Sequence, residues 1–220
     1  HSRHPVHGSV PPEQFIPLAE MGEVIRPLTL WVIEQALMQL QEWYRQGMAT
    51  CVAVNISPRN LLDEDYPEQL ERLLRHYRVP ADALQLEITE GALIADPERA
   101  LAVIQRIHAL GVRLAIDDFG TGYSSLSYLQ RLPLDTLKID MSFVRQMLLS
   151  HADAMIVHST IGLAHNLGLR VVAEGVEDAA TLEMLREIGC DEAQGYHIAR
   201  PLPAAQATMR LREAHTPLGA

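Results

Sequence analysis

At 220 residues and 48% hydrophobic composition, the chain suits one large domain, since α/β barrels often exceed 200 residues as a single unit. Its formal net charge of −10 argues against a broad basic grip on nucleic acid polymers. No run of about 20 apolar residues is free of charge, which argues against a membrane-spanning helix and membrane contact by this segment. No basic stretch followed by an apolar one marks a signal peptide, and Cys51 and Cys190, in or near buried-strand patterns, read as reduced thiols of a cytoplasmic protein.

Taken in chain order, residues 13–24 have helical apolar spacing, with Pro12 suited to a helix start. Residues 28–46 form a long amphipathic helix stopped by Gly47. A strand over 50–56 leads to a helix over 67–78 with Leu70, Leu73 and Leu74 on one face. The strand at 84–88 leads to a helix over 97–110, stopped by Gly111. The strand at 112–116 opens into a Gly/Ser-rich loop, 118–125, and a short helix before Pro133. The strand at 135–139 precedes helical spacing through Leu167 that breaks near Ser150, with a Leu, Ile and Met stripe that is core or dimer surface. The strand at 169–173, a helix over 178–188 ended by Gly189, a weak strand at 191–194 and a terminal helix to Arg212 complete the chain.

Strands alternating with helices predict a parallel sheet. Its strands end on polar residues: Asn55, Glu87, Asp117, Lys138, Glu174 and Gln194. Parallel strands bring their C-terminal ends to one face, the face that holds the active site in (β/α) barrels. A carboxylate-rich pocket collected there suits divalent cations, which prefer oxygen ligands. Six strands fall short of a closed barrel of eight, so either the sheet is open or two strands precede His1. The abrupt opening at His1-Ser2-Arg3 favours the second. His1, His4 and His7 read as a solvent-exposed segment rather than a zinc site, and His158 and His165 as helix-surface or packing residues.

In their local settings these strand ends resemble the EAL domain family of bacterial cyclic di-GMP phosphodiesterases. Val54-Asn55-Ile56-Ser57 is similar to its Asn-Leu-Ser strand end, and Leu86-Glu87-Ile88-Thr89-Glu90 to its Glu-x-Thr-Glu motif. Asp117 to Leu126, DDFGTGYSSL, matches its active-site loop without departure. Lys138-Ile139-Asp140, Ala173-Glu174-Gly175-Val176-Glu177 and Gln194-Gly195-Tyr196 follow in order, and Phe15 to Glu20 matches the helix after the namesake motif. The namesake Glu-Ala-Leu is the one departure. His4-Pro5 and Gly8 align with the segment that follows it, so its glutamate and two strands are expected upstream of His1. The implied fold is a TIM-like (β/α)8 barrel of the EAL type, N-terminally incomplete, over residues 1–220.

The resemblance implies hydrolysis of cyclic di-GMP to linear pGpG by a two-metal, water-activated in-line displacement. Two Mg2+ or Mn2+ ions are implied, with Ca2+ inhibitory. Asn55, Glu87 and Asp117 hold the first ion, and Asp117 with Asp118 the second. Lys138 and Glu174 are the implied catalytic residues, at the water and the phosphate. Glu90, Ser57 and the loop residues Phe119, Gly120, Thr121 and Gly122 support them. Glu177, Gln194 and Gly195 are expected at the pocket wall. For Asp140 a salt bridge or helix cap competes with a metal-proximal role. A homodimer and an upstream sensory or GGDEF domain are the expected partners, in a parent that a membrane elsewhere could anchor. Two functions remain open: the phosphodiesterase, which the intact ligand set and loop favour, and an impaired EAL domain that binds the nucleotide as a sensor. An enolase-like barrel lyase would keep the carboxylates but leave the loop unexplained.

Overall fold

The computed structural model describes residues 2–4, 8–93, 96–122 and 126–215. A hairpin of β1 (Ser2–His4) and β2 (Gly8–Val10) opens it, pairing antiparallel from Ser2 opposite Val10 to His4 opposite Gly8. Two helices follow, α1 (Pro12–Met21) and α2 (Ile25–Arg45). The alternating units then run β3 (Val52–Asn55), α3 (Pro58–Leu61), α4 (Tyr66–Tyr77), β4 (Leu84–Thr89), α5 (Pro97–Ala109) and β5 (Arg113–Phe119). They continue as α6 (Leu126–Leu129), β6 (Thr136–Ile139), α7 (Met141–Gln146) and α8 (His151–Asn166). The last are β7 (Arg170–Ala173), α9 (Ala179–Glu187), β8 (Glu192–Ala193) and α10 (Ala204–His215).

Strands β3 to β8 form one parallel sheet in strictly sequential order. A doubly wound sheet reverses its strand order at a switch point, whereas a barrel adds each strand beside the last. The described residues thus supply six strands of a (β/α)8 barrel. Side chains alternate along each strand. Leu84, Leu86, Ile88, Leu114, Ile116, Leu137, Ile139, Val171 and Ala173 are buried in the core beneath the helices. Ile33, Leu37 and Leu40 of α2, Leu70 and Leu74 of α4, and Ile104 and Ile107 of α5 meet them there. Burying one such side chain stabilises the fold by about 1.5–3 kcal/mol. The opposite set, including Gln85, Glu87, Lys138 and Val172, lines a cavity of about 380 Å³ along the other face. One alternation therefore builds both the core and the polar lumen.

The helix ends follow the sequence. Asp96, Ser150 and Asp178 accept backbone N–H groups as N-caps of α5, α8 and α9. Gly47, Gly111 and Gly189 carry positive φ where helices were expected to stop. The break near Ser150 separates α7 from α8, and the stripe beyond it divides: Val144, Met147, Val157 and Ile161 are buried, while Leu148, Leu149, Met155 and Ile156 are exposed.

Three features depart from the sequence reading. The β1–β2 hairpin has strands too short to show alternation. Strand β5 continues past Ile116 to Phe119. Cys51 is exposed rather than buried, and both cysteines are free thiols. His158 and His165 lie exposed on α8, with His165 paired to Asp191 at 2.9 Å, and the side chains of His1, His4 and His7 fall outside the described residues. Among the described residues no helix is long and apolar enough to cross a membrane.

Candidate active site

At the C-terminal ends of the strands, Lys138 of β6 is 4% exposed. Its Nζ lies 2.8 Å from Glu87 Oε1, 3.0 Å from Asp117 Oδ1 and 2.7 Å from Glu174 Oε1. These partners come from β4, β5 and the turn after β7, so the sheet order itself brings them together. Asn55, opposite Glu87 in the β3–β4 ladder, donates from Nδ2 to Glu87 Oε2 at 3.1 Å.

Asp117 and Asp118 are consecutive, and along a regular strand they would point to opposite faces. Two irregularities prevent that. The β5–β6 register shifts between Ile116 and Phe119, and Asp118 is left-handed at φ 54°. Aspartate is among the few residues that visit this region with any frequency. As a result carboxylate oxygens of Asp117, Asp118 and Glu174 all lie within 4.8 Å of one another. The sequence pattern ends this strand at Ile116 and puts Asp118 in a loop; two consecutive acidic residues at its end, with Gly120 two positions on, are the available signal for the bulge.

Four carboxylates crowd a single ammonium here, and the proton affinities of Glu87, Asp118 and Glu174 record the imbalance. Burial, then Asp117, Asp140 and Glu174, push the Asp118 carboxyl up to about 6. Burial also lifts Glu87 and Glu174 above the usual carboxylate range despite Lys138. For Lys138 burial alone would lower the pKa, but Glu87 and Asp117 outweigh it and hold the group above the ordinary lysine range. Oxygen-only donors with uncompensated negative charge, three of them already within one ion's reach, fit hard divalent cations.

A sequence profile described as "EAL domain" matches residues 1–201. The chain belongs to the EAL domain family. A cyclic di-GMP phosphodiesterase of Pseudomonas aeruginosa is 41% identical over 210 residues, covering 96% of this chain and 36% of its own length. The cyclic di-GMP phosphodiesterase PdeR of Escherichia coli is 40% identical over 200 residues, 91% of this chain and 30% of PdeR. The chain thus spans about a third of the length of these relatives. Among solved structures, the MucR phosphodiesterase in complex with cyclic di-GMP superposes with a TM-score of 0.89 at 39% identity, over 93% of this chain and 83% of that one. The Asp117, Asp118 and Glu174 cluster could hold a metal ion.

Around the EAL strand ends the remaining residues divide into three groups. Glu90 is buried behind the Asp117–Asp118 turn, where its Oε1 accepts the Gly120 N–H at 3.1 Å. A Cβ on Gly122 would lie 2.5 Å from Glu90 Oε2, and one on Gly120, at φ 102°, would lie 2.9 Å from Phe143, so neither glycine has room for a side chain. The Thr121 hydroxyl donates to the Asp118 carbonyl at 2.9 Å, and Phe119 packs on the core. Tyr123 to Ser125 of the loop lie outside the described residues.

Gln194 and Gly195 line the cavity beside Lys138. Ser57 caps α3 and donates from Oγ to Glu20 Oε1 at 3.0 Å, tying the turn after Asn55 to α1. Asp140 caps α7 by accepting the Ser142 N–H at 3.0 Å and also adds to the negative field on Asp118. Glu177 forms an exposed ion pair with Arg145, 2.6 Å away. Arg145, Phe143, Met141 and the carboxylate of Glu20 were not read as site residues, because each reaches the site through a neighbour's backbone or side chain and carries no chemistry of its own there.

Proposed function

We propose that this EAL domain hydrolyses cyclic di-GMP to linear pGpG with two Mg2+ or Mn2+ ions. The carrying observation is the buried Lys138 ammonium held by Glu87, Asp117 and Glu174 with Asp118 beside them, at the end of the sheet where barrel enzymes keep their chemistry. Asn55, Glu87 and Asp117 would hold one ion and Asp117 with Asp118 the other. When bound, such a pair lowers the pKa of water and offsets charge on the attacking and leaving oxygens of an in-line displacement.

The chain's own groups divide the remaining work. Lys138 is held well above the lysine range, so it stays charged and cannot serve as a base. Its charge offsets the negative charge that develops on the phosphate. Burial lifts Glu174 above the usual carboxylate range, and 18% of its side chain stays exposed, so it can reach water. It accepts the proton of the attacking water. Water oxygen bonds to phosphorus, the bond to the 3′-oxygen breaks, and that oxygen leaves with a proton from solvent. Gln194 and Gly195 line the cavity beside Lys138, the space that would hold the nucleotide.

We further propose that the domain acts in the cytoplasm, where Cys51 and Cys190 would stay reduced. A homodimer is supported by the apolar exposure of Leu148, Leu149, Met155 and Ile156. A longer parent with a GGDEF or sensory domain is supported by the relative named a bifunctional diguanylate cyclase/cyclic di-GMP phosphodiesterase, MucR, of which the matched region covers 30%. The test is chromatographic detection of pGpG from cyclic di-GMP. Product should form with Mg2+ or Mn2+, stop with EDTA and be suppressed by Ca2+, whose larger and looser shell fits a two-ion displacement poorly. Undiminished turnover after exhaustive EDTA treatment would contradict the proposal.

A further inference from the structure

We infer that Arg145 is a positioning residue for Glu174, acting through its ion pair with Glu177; the inference rests on the hydrolytic reading of the site. Glu174 opens the short irregular connection after β7, residues 174–177, in which Gly175 has φ 74°. One side of the connection is fixed by backbone: Val176 N–H donates to the Gln194 carbonyl at 3.0 Å, and Gly195 packs against Val176 too closely to admit a Cβ.

The other side is fixed by α7. A Cβ on Gly175 would stand 2.4 Å from Met141 Cβ and 3.5 Å from Arg145 Nε, so the arginine lies across the glycine on its way to Glu177 Oε1, 2.6 Å from its NH2 group. The same short helix presses Phe143 against Gly120, behind the Asp117–Asp118 bulge. Capped by Asp140 two residues after Lys138, α7 therefore touches both turns that carry site carboxylates. With side chains 40% and 48% exposed, the Arg145–Glu177 pair contributes little to stability. Its effect is on the orientation of Glu174, whose Oε1 must stay 2.7 Å from Lys138. Sub-ångström drift of a catalytic group slows chemistry far more than it loosens the fold.

The test is a double-mutant cycle on the whole chain with Mn2+. Arg145→Ala and Glu177→Ala are each expected to lower kcat roughly five- to tenfold, with KM for cyclic di-GMP within about twofold and the melting temperature within about 2 °C. The double variant should be no slower than either single one, and Arg145→Lys should recover most of the loss. Mn2+ affinity by electron paramagnetic resonance gives a readout independent of turnover, because Glu174 belongs to the same cluster as Asp117 and Asp118. Both single variants should bind Mn2+ several-fold more weakly. If the wild type makes no pGpG, the hydrolytic reading has failed and the Mn2+ comparison alone decides the positioning role. Unchanged kcat and Mn2+ affinity in Arg145→Ala, or losses that multiply in the double variant, would overturn the inference. Should Arg145→Ala fail to fold, Arg145→Gln, which keeps the stem over Gly175, replaces it.

Discussion

Lys138→Met tests the electrostatics of the site with little change of shape. The substitution keeps an unbranched stem and removes one ammonium that contacts three carboxylates at 2.7–3.0 Å while only 4% exposed. Removing one partner of a buried ion pair typically costs about 3–5 kcal/mol, because the remaining charges stay buried and unpaired. For a chain of this size each kcal/mol lowers the melting temperature by about 2–4 °C, giving an expected drop of roughly 6–20 °C in EDTA at pH 7.5. The deficit should shrink toward pH 5, since Glu87 and Glu174 already hold protons more tightly than usual and neutralise readily once the lysine is gone. Mn2+ should stabilise the variant more than the wild type, because the ion replaces the lost positive charge. Differential scanning fluorimetry across pH, with EDTA or Mn2+, measures all three. A variant that melts within 2 °C of wild type in EDTA, with no larger response to Mn2+, would refute the reasoning.

Asp118→Asn should raise the melting temperature of the metal-free protein at pH 7.5. The Asp118 pKa is raised in the folded state to about 6, so ionisation destabilises the fold as pH climbs from near 4 through 6; the variant's gain should fade over the same interval on acidification. Glu174→Gln should lower kcat by orders of magnitude while cyclic di-GMP affinity, read by calorimetry in Ca2+, stays within a few-fold. Gly175→Ala forces a side chain into a left-handed position 2.4 Å from Met141 Cβ and should cost roughly 2–4 kcal/mol in urea denaturation.

The alternation of helix and strand made the parallel sheet legible, and the strand-end position of Asn55, Glu87, Asp117, Lys138 and Glu174 made their convergence legible too. Both depend on local periodicity and on a rule of topology. What escaped depends on departures from periodicity. The bulge that turns Asp118 toward Asp117 breaks the two-residue repeat, so it reads from sequence as the end of a strand. Glu177 stands in a motif of site residues, yet its partner Arg145 lies 32 positions away in sequence on another element, and only the folded chain shows their exposed ion pair. The Glu20–Ser57 hydrogen bond is hidden for the same reason. Side chains that act at a distance through a neighbour leave no spacing to detect.

The most direct test of the central claim follows binding and cleavage on one preparation of the chain together with the residues expected before His1. Cyclic di-GMP is first bound in Ca2+ and measured by calorimetry; Mn2+ is then exchanged in and the nucleotide recovered and separated by chromatography. The account predicts that bound cyclic di-GMP leaves as pGpG in wild type and as uncleaved cyclic di-GMP in Glu174→Gln. Binding by the wild type followed by recovery of intact cyclic di-GMP in Mn2+ would contradict it and identify the carboxylate–lysine site as a receptor for the nucleotide rather than a catalyst.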